Sequence, residues 1–338
     1  MMSSNSLLLL NHRDVAQLLK SRENEVLTVV TQAYQAHAKQ ACVMPPNAYL
    51  RFPDSEKKKR ILAKPAYLGD DFEVAGIKWI ASFPENRARG LERASATLIL
   101  NSMETGWPTA IMESTLLGIE RTAASAALAA QHLWSQDNLS AVGIIGCGSI
   151  NLATLRFLKV VYPMLTQVNI YNRSPERALW FQEQVALAHP ELQVNVADSA
   201  DAVLEAAAVV SLATSAVEPH ITHLESSEKT QVLLHLSSRD LSPELILAAN
   251  NIVDDREHMC AQQTSLHLAE QQVGHCDFIQ ATIGEWLLKD MQHSALEQSL
   301  TIFSPFGLGV LDLAVAQLLA QLATEQDVGT TIQDFICA

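Results

Sequence analysis

One lysine and four arginines (Lys78, Arg87, Arg89, Arg93 and Arg121) lie among apolar runs between Gly76 and Thr122 of an acidic chain. A cation in apolar surroundings needs an anion, because an unpaired buried charge is costly. Arginine adds geometry to charge, since a guanidinium can grip a carboxylate through two parallel hydrogen bonds. The set reads as a clamp for a small molecule with several carboxylates. For any single member the competing reading is a structural salt bridge to one of the 37 acidic side chains.

A second constellation follows in the run Val142-Gly-Ile-Ile-Gly-Cys-Gly-Ser-Ile-Asn151: an apolar strand, a glycine turn and a helix start. Gly146 permits the tight turn, and Gly148 lets backbone approach a pyrophosphate at the positive helix end, where Cys147, Ser149 and Ile150 would also meet it. Asn151 stands where the usual fingerprint has its third glycine. The competing reading is a sharp structural turn without a cofactor. In such sites an Asp or Glu about 20 residues further on binds the ribose hydroxyls of NAD. Here Tyr171-Asn172-Arg173-Ser174 arrives without a carboxylate. Asn172 would not repel a 2′-phosphate, and Arg173 with Ser174 would bind one, which favours NADP(H) over NAD(H). Otherwise Arg173 is a solvated loop charge. The clamp and the turn together indicate a nicotinamide-dependent enzyme acting on an amino acid.

The elements that must position these groups can be read from periodicity. Leu7 to Leu10 is a short strand and Asn11 to Lys20 a helix opening. Apolar positions recur at helical spacing from Glu25 to Gln40, until Met44-Pro45-Pro46 stops the helix. Strands are expected over Gly76 to Ser82, which carries Lys78, and over Ala96 to Leu100, just after Arg93. Glu104 to Pro108 has hairpin-turn composition. An alanine-dominated helix runs from Arg121 to Leu133, so Arg121 would precede it, where the helix dipole does not favour a cation. From Ala141 strands alternate with helices: Val142–Ile145, Val168–Tyr171, Val194–Val196, Val209–Ala213, Val232–Leu236 and Ile252–Val253, with helices such as Ile150 to Val161 and Pro175 to Ala188 between them. That alternation implies a doubly wound parallel sheet. A Gly-rich turn, Gly307-Leu308-Gly309, precedes a helix from Leu311 to Thr324 that is expected to return to the first domain.

Length and composition bound these readings. At 338 residues, 48% hydrophobic and 18% charged, the chain is globular and long enough for two domains. A formal charge of −14 would repel nucleic acid and anionic membranes. No run approaches a membrane span. Five cysteines (Cys42, Cys147, Cys260, Cys276 and Cys337), odd in number and never in a CxxC pair, suggest neither a disulfide framework nor a zinc site. A soluble, cytoplasmic, metal-free protein is expected.

Several segments carry a resemblance over nearly the whole chain: GIKWIASFPEN, LILNSMETGWPTAIMESTLL, RTAASAALAA, the GCGSI turn and FSPFGLGVLDLAVA. By these the chain resembles the ornithine cyclodeaminase/mu-crystallin family. Its run GIKWIASFPENRARGLERASATLIL is similar to the branch that makes 2,3-diaminopropionate for siderophore and peptide-antibiotic pathways. The resemblance implies a Rossmann-type doubly wound sheet, residues 126–309, inserted in a split α+β domain of residues 1–125 and 310–338. The split domain would bind substrate and form a homodimer. It further implies that Lys78 holds the substrate carboxylate beside the reacting carbon and that Arg51 and Arg121 bind carboxylates. By the same resemblance Thr214 and Ser215 edge the cofactor and Asp240 is the acid/base group. For Asp240 the plain alternative is a helix cap before Ser242-Pro243. Asn151 and Asn172 depart from the family pattern and leave open the choice of cofactor.

The expected chemistry is an oxidative cleavage. Hydride leaves the glutamate α-carbon of a secondary amine, water adds to the imine, and 2-oxoglutarate and 2,3-diaminopropionate separate. Arg51, Arg93, Arg121 and Lys78 would orient the carboxylates while Asp240 moves protons. Ornithine cyclodeaminase, alanine dehydrogenase and ketimine reductase activities are the alternatives on the same fold. A ligand-binding protein without catalysis is a third reading.

Overall fold

The computed structural model describes residues 6–53, 59–136, 138–224, 231–260 and 263–336, without the side chains of Arg87 and Ala295. Cys337 lies outside the described residues. The first stretch contains β1 (Leu7–Leu10), α1 (His12–Leu19), α2 (Glu23–Ala38), β2 (Cys42–Val43), β3 (Ala48–Arg51), β4 (Arg60–Leu68), β5 (Val74–Ser82), β6 (Ala94–Asn101), β7 (Pro108–Glu113) and α3 (Thr115–Leu133). Then come β8 (Ala141–Ile145), α4 (Ser149–Val161), β9 (Gln167–Tyr171), α5 (Pro175–Ala188), β10 (Gln193–Val196), α6 (Ala200–Ala206), β11 (Val209–Leu212), β12 (Val232–His235) and α7 (Pro243–Leu247). The remainder is β13 (Asn250–Val253), α8 (Arg256–Met259), α9 (Ser265–Val273), β14 (Ile279–Thr282), α10 (Ile283–Leu288), β15 (Thr301–Ser304), α11 (Gly309–Gln326) and β16 (Thr330–Ile332). Contacts divide the chain into one unit of residues 1–121 with 308–338 and another of residues 122–307.

The first unit is built on a mixed sheet in the order β16-β1-β7-β6-β5-β4-β2, with β3 also paired to β4. Register fixes which side chains share a face, because directly paired residues point the same way and the period along a strand is two. Lys64 pairs with Lys78 and Lys78 with Leu98, so these lie on one face. That face is covered by α11, which packs on β4, β5 and α2. Helix α11 is apolar on nearly every side, as a helix enclosed by other elements must be.

The second unit is a parallel eight-stranded sheet in the order β10-β9-β8-β11-β12-β15-β13-β14. Its central strands β11 and β12 are buried at every position, as a sheet covered on both faces requires. The order reverses direction beside β8, and the crevice at the carboxyl ends there is where such sheets take ligands.

Three sequence expectations need correction. The alanine-rich helix starts at Thr115, six residues before Arg121. Glu113 makes this start possible, accepting hydrogen bonds from the Thr115 and Leu116 amides at 2.6 and 3.2 Å. Arg121 therefore lies inside α3 rather than before it. Strands β14 and β15 were not anticipated, and β15 sits between β12 and β13. Cys260 and Cys276 form a disulfide across a separation of 16 residues, although their spacing indicated no bridge. Helix α9 lies between them in the chain. No helix among the described residues is long and apolar enough to cross a membrane.

Candidate functional site

Lys78 and Arg121 of the clamp converge in the first unit, on a residue that sequence reading missed. Lys78 Nζ lies 2.9 Å and Arg121 Nε 3.0 Å from the same oxygen of Asp312, Oδ1. Asp312 projects from the first turn of α11, a position the helix dipole favours for a carboxylate. Its other oxygen, Oδ2, is buried without a hydrogen-bond partner. Burial pushes the Asp312 carboxyl upward, but Arg121 and Lys78 outweigh it and hold it below the usual range. Burial lowers the Lys78 ammonium, and Arg121 adds to that against the pull of Asp312. Lys64, also buried, is paired in register beside Lys78 and acts on Asp312 as a further positive charge. For Lys78 and Arg121 the structural salt bridge is therefore what the structure shows: buried Asp312 pairs with both, and Glu113 acts on Lys78 as a further negative charge.

Gly118 in α3 makes this packing possible. A Cβ there would stand 2.6 Å from Lys78 Nζ, so the ammonium occupies the space that a side chain would fill.

The Arg87 side chain lies outside the described residues, and the other members of the clamp lie elsewhere in the first unit. Arg51 is exposed on β3, with its guanidinium 5.3 Å from the Tyr49 ring centroid. Pairing of Arg51 with Arg60 nevertheless puts it on the Lys78 face of the sheet, further along the strands. Arg93 is half-buried just before β6, and Arg89 is exposed.

In the second unit the glycine turn has the geometry a pyrophosphate needs. Gly146 has φ +93°, and a Cβ on it would lie 2.3 Å from the Ala213 carbonyl oxygen. A Cβ on Gly148 would meet nothing within 4 Å, so the turn is open on that side. Gly148 is the N-cap of α4 and brings no side-chain cap, which leaves the amides at Ser149 and Ile150 for an anion. Burial pushes the Cys147 thiol up to about 12, so the turn presents no negative charge of its own. These features fit a dinucleotide.

The two departures from the family pattern have structural duties. Asn151 is buried, donating to the Ile145 and Gly146 carbonyls at 3.0 and 2.7 Å and accepting from Ser211 Oγ at 2.7 Å. It ties the turn to β11 where a glycine would leave a gap. Asn172 accepts from the Cys147 amide at 3.0 Å and donates to the Ser174 carbonyl at 3.0 Å. Arg173 and Ser174 are exposed next to it, as is Arg177, which lies over the Trp180 ring.

Asp240 is fully buried at the same edge of this sheet. It accepts hydrogen bonds from Thr214 Oγ1 and Ser237 Oγ, and His235 Nε2 lies 3.4 Å from its Oδ2. Burial alone would raise its carboxyl, but His235, Ser237 and Thr214 outweigh that and hold it below the usual range. His235 is itself buried and reaches Ser304 Oγ with its other ring nitrogen at 3.1 Å. Asp240 is not a helix cap, since Ser242 caps α7. Ser215 is exposed beside Thr214. His235 and Ser304 close strands β12 and β15 and Ser237 lies in the turn after β12, positions that sequence reading did not single out.

The family model for the ornithine cyclodeaminase/mu-crystallin family matches residues 6–327. The chain is 28% identical to N-((2S)-2-amino-2-carboxyethyl)-L-glutamate dehydrogenase of Staphylococcus aureus, over 96% of this chain and 98% of that protein. It is 30% identical to the alanine dehydrogenase of Archaeoglobus fulgidus, over 97% and 98% of the two chains. A solved archaeal alanine dehydrogenase dimer with bound NAD superposes with a TM-score of 0.86 at 28% identity, covering 97% of this chain and 99% of that one.

Proposed function

This chain belongs to the ornithine cyclodeaminase/mu-crystallin family, and on that premise we propose that it cleaves N-(2-amino-2-carboxyethyl)-L-glutamate oxidatively into 2,3-diaminopropionate and 2-oxoglutarate. At the coarser level it is an NAD(P)-dependent amino-acid dehydrogenase or reductase, in keeping with its relatives. What supports the finer reading is the likeness over nearly both chains to the N-((2S)-2-amino-2-carboxyethyl)-L-glutamate dehydrogenase of Staphylococcus aureus. The proposed substrate carries three carboxylates, and one of them would take the place of Asp312 beside Lys78 and Arg121.

Arg121 and Lys78 take the carboxylate nearest the reacting carbon, while Arg51 and Arg93 receive those further out. Holding the substrate at several points converts binding into orientation. When bound at the glycine turn, the nicotinamide supplies the hydride acceptor. Asp240, kept ionised by its hydrogen bonds, and Lys78, with its lowered pKa, serve proton transfer as water adds to the imine and the carbinolamine collapses. NADP(H) is the finer reading of the cofactor, supported by Asn172 in the acid's usual place and by exposed Arg173 and Ser174. The working form is a homodimer in the cytoplasm, with its interface on the sheet face opposite Lys78.

The test is mass spectrometry of the products after incubation of the aminocarboxyethyl-glutamate adduct with NAD⁺ or NADP⁺. Formation of both 2-oxoglutarate and 2,3-diaminopropionate supports the assignment, and formation of neither rejects it. Alanine dehydrogenase activity is the second reading, favoured by the archaeal relative at 30% identity. Reduced nicotinamide appearing with alanine but not with the adduct would select it.

A further inference from the structure

Acids outnumber bases in this chain by 37 to 23, yet two arginines near the glycine turn are bridged to no carboxylate among the described residues. Arg173 follows β9, and Arg177 stands in the first turn of α5. Both are exposed, as is Glu176 between them in the chain. Arg177 is held by an aromatic ring instead. Its guanidinium carbon lies 4.1 Å from the centroid of Trp180, a half-buried residue one helical turn further on. Stacking of this kind uses the face of the guanidinium, while its N–H donors lie in the plane of the group and remain available at the edge. The ring thus orients a donor fork in advance of any ligand, which lowers the entropic cost of gripping one.

The place of the pair indicates which anion it suits. The positive charge of Arg177 is felt by the Cys147 thiol, so the stacked guanidinium stands within electrostatic reach of the glycine turn. Asn172 ties that turn to the end of β9, accepting from the Cys147 amide and donating to the Ser174 carbonyl. In a doubly wound dinucleotide site the end of the second strand meets the adenosine ribose, usually with a carboxylate for its hydroxyls. The Asn172 amide carries no charge that would repel a phosphate there. Ser174 is the N-cap of α5 but makes no side-chain capping bond, so its hydroxyl is not spent on the helix. A phosphate monoester on the ribose offers acceptor oxygens that a guanidinium fork can take two at a time.

We propose that Arg177, stacked on Trp180, is a determinant of cofactor specificity that grips the 2′-phosphate of NADP(H) with the edge of its guanidinium, beside Arg173 and Ser174. This rests on the NADP(H) reading of the cofactor. Trp180 is a positioning residue, since it acts on the phosphate only through the arginine that it holds. The two side chains therefore differ in what their loss does. Removing Arg177 takes away the donors themselves, whereas removing the ring leaves the donors and frees them to wander. NADH has no phosphate at this position, so neither loss touches its binding.

Fluorescence titrations of the full-length protein with NADPH and with NADH, in the absence of substrate, provide the test. Arg177→Ala is expected to raise the dissociation constant of NADPH on the order of 10–100-fold and to leave that of NADH unchanged. Trp180→Leu should weaken NADPH by less, about threefold, again without effect on NADH. An Arg177→Ala protein that binds NADPH as wild type does, or that loses both cofactors in equal measure, overturns the proposal. Unchanged NADPH binding in Trp180→Leu overturns the part given to the ring. Wild type that binds NADH more tightly than NADPH defeats the NADP(H) reading, and the shift in the ratio of the two constants on removing Arg177 still decides the role of that residue. Wild type that binds neither dinucleotide overturns both.

Discussion

Asp312 is the residue on which the first unit's chemistry turns, since its Oδ1 lies 2.9 Å from Lys78 Nζ and 3.0 Å from Arg121 Nε. Removing one partner of a buried ion cluster is far more damaging than its net worth suggests, because the charges left behind lose compensation. Asp312→Asn is therefore expected to destabilise the protein by about 3–5 kcal/mol, measured by urea unfolding. Lys78→Met added to that variant should recover part of the loss; a double variant as unstable as the single one would refute the shared-carboxylate account. Gly118 offers a gentler probe. Its replacement by Ala places a methyl where Lys78 Nζ now sits and should lower kcat/KM on the order of tenfold, about 1.4 kcal/mol, with little change in melting temperature. Unaltered kinetics in Gly118→Ala would show that Lys78 is not held in its working position by this contact. Asp240 supplies a pH signature. Its folded pKa is depressed below the ordinary value of 3.8, so the unfolded chain binds more protons between the two values. Its contribution is thus present above 3.8 and lost as pH falls through the folded value. Urea unfolding of wild type and Asp240→Asn should differ by a constant amount from about pH 8 to about pH 5, and the difference should shrink below about pH 4.

Among the elements, the β8–turn–α4 unit is the most exposed to a single change. Gly146→Ala forces a Cβ at φ +93° into the Ala213 carbonyl, so NAD(P)H binding is expected to be lost together with stability. Asn151→Ala leaves the turn's φ untouched but removes three buried hydrogen bonds, and should cost about 1–3 kcal/mol in thermal or urea unfolding. Equal stability of Asn151→Ala and wild type would show that the turn does not depend on this tie. Legibility followed the range over which each signal acts. The turn itself was readable because strand, glycines and helix are contiguous. The duty of Asn151 was not, since its partner Ser211 is 60 residues away in sequence. Lys78 announced itself as a cation between bulky apolar neighbours, yet its acid lies 234 residues on, inside a helix whose apolar pattern drew attention to packing. The early start of α3 was hidden by Glu113, a strand residue whose side chain turns back to cap the helix. Strands β14 and β15 mix polar residues (Gln280 and Thr282, Thr301 and Ser304) with their apolar ones and so lack the apolar run that marked β11 and β12.

At the scale of the whole molecule, the sheet of the first unit has a second face that its own helices do not cover. Leu9, Ile111, Ile99, Ile77 and Pro65 form one continuous row across five strands by register, and all are only half-buried. Trp79 stands in the next row with 46% of its surface exposed. A contiguous apolar surface of this kind marks an interaction site. A second copy of the chain suits it, because a two-fold contact places the same apolar row on both sides. The face is opposite to that of Lys78, so a charge placed there can break association without touching the cation cluster. On the proposed pairing through this face, Trp79→Glu is expected to give a monomer in sedimentation velocity, while the NAD(P)H binding proposed for the glycine turn of the other unit stays intact. A Trp79→Glu protein that still sediments as a dimer would place the interface elsewhere.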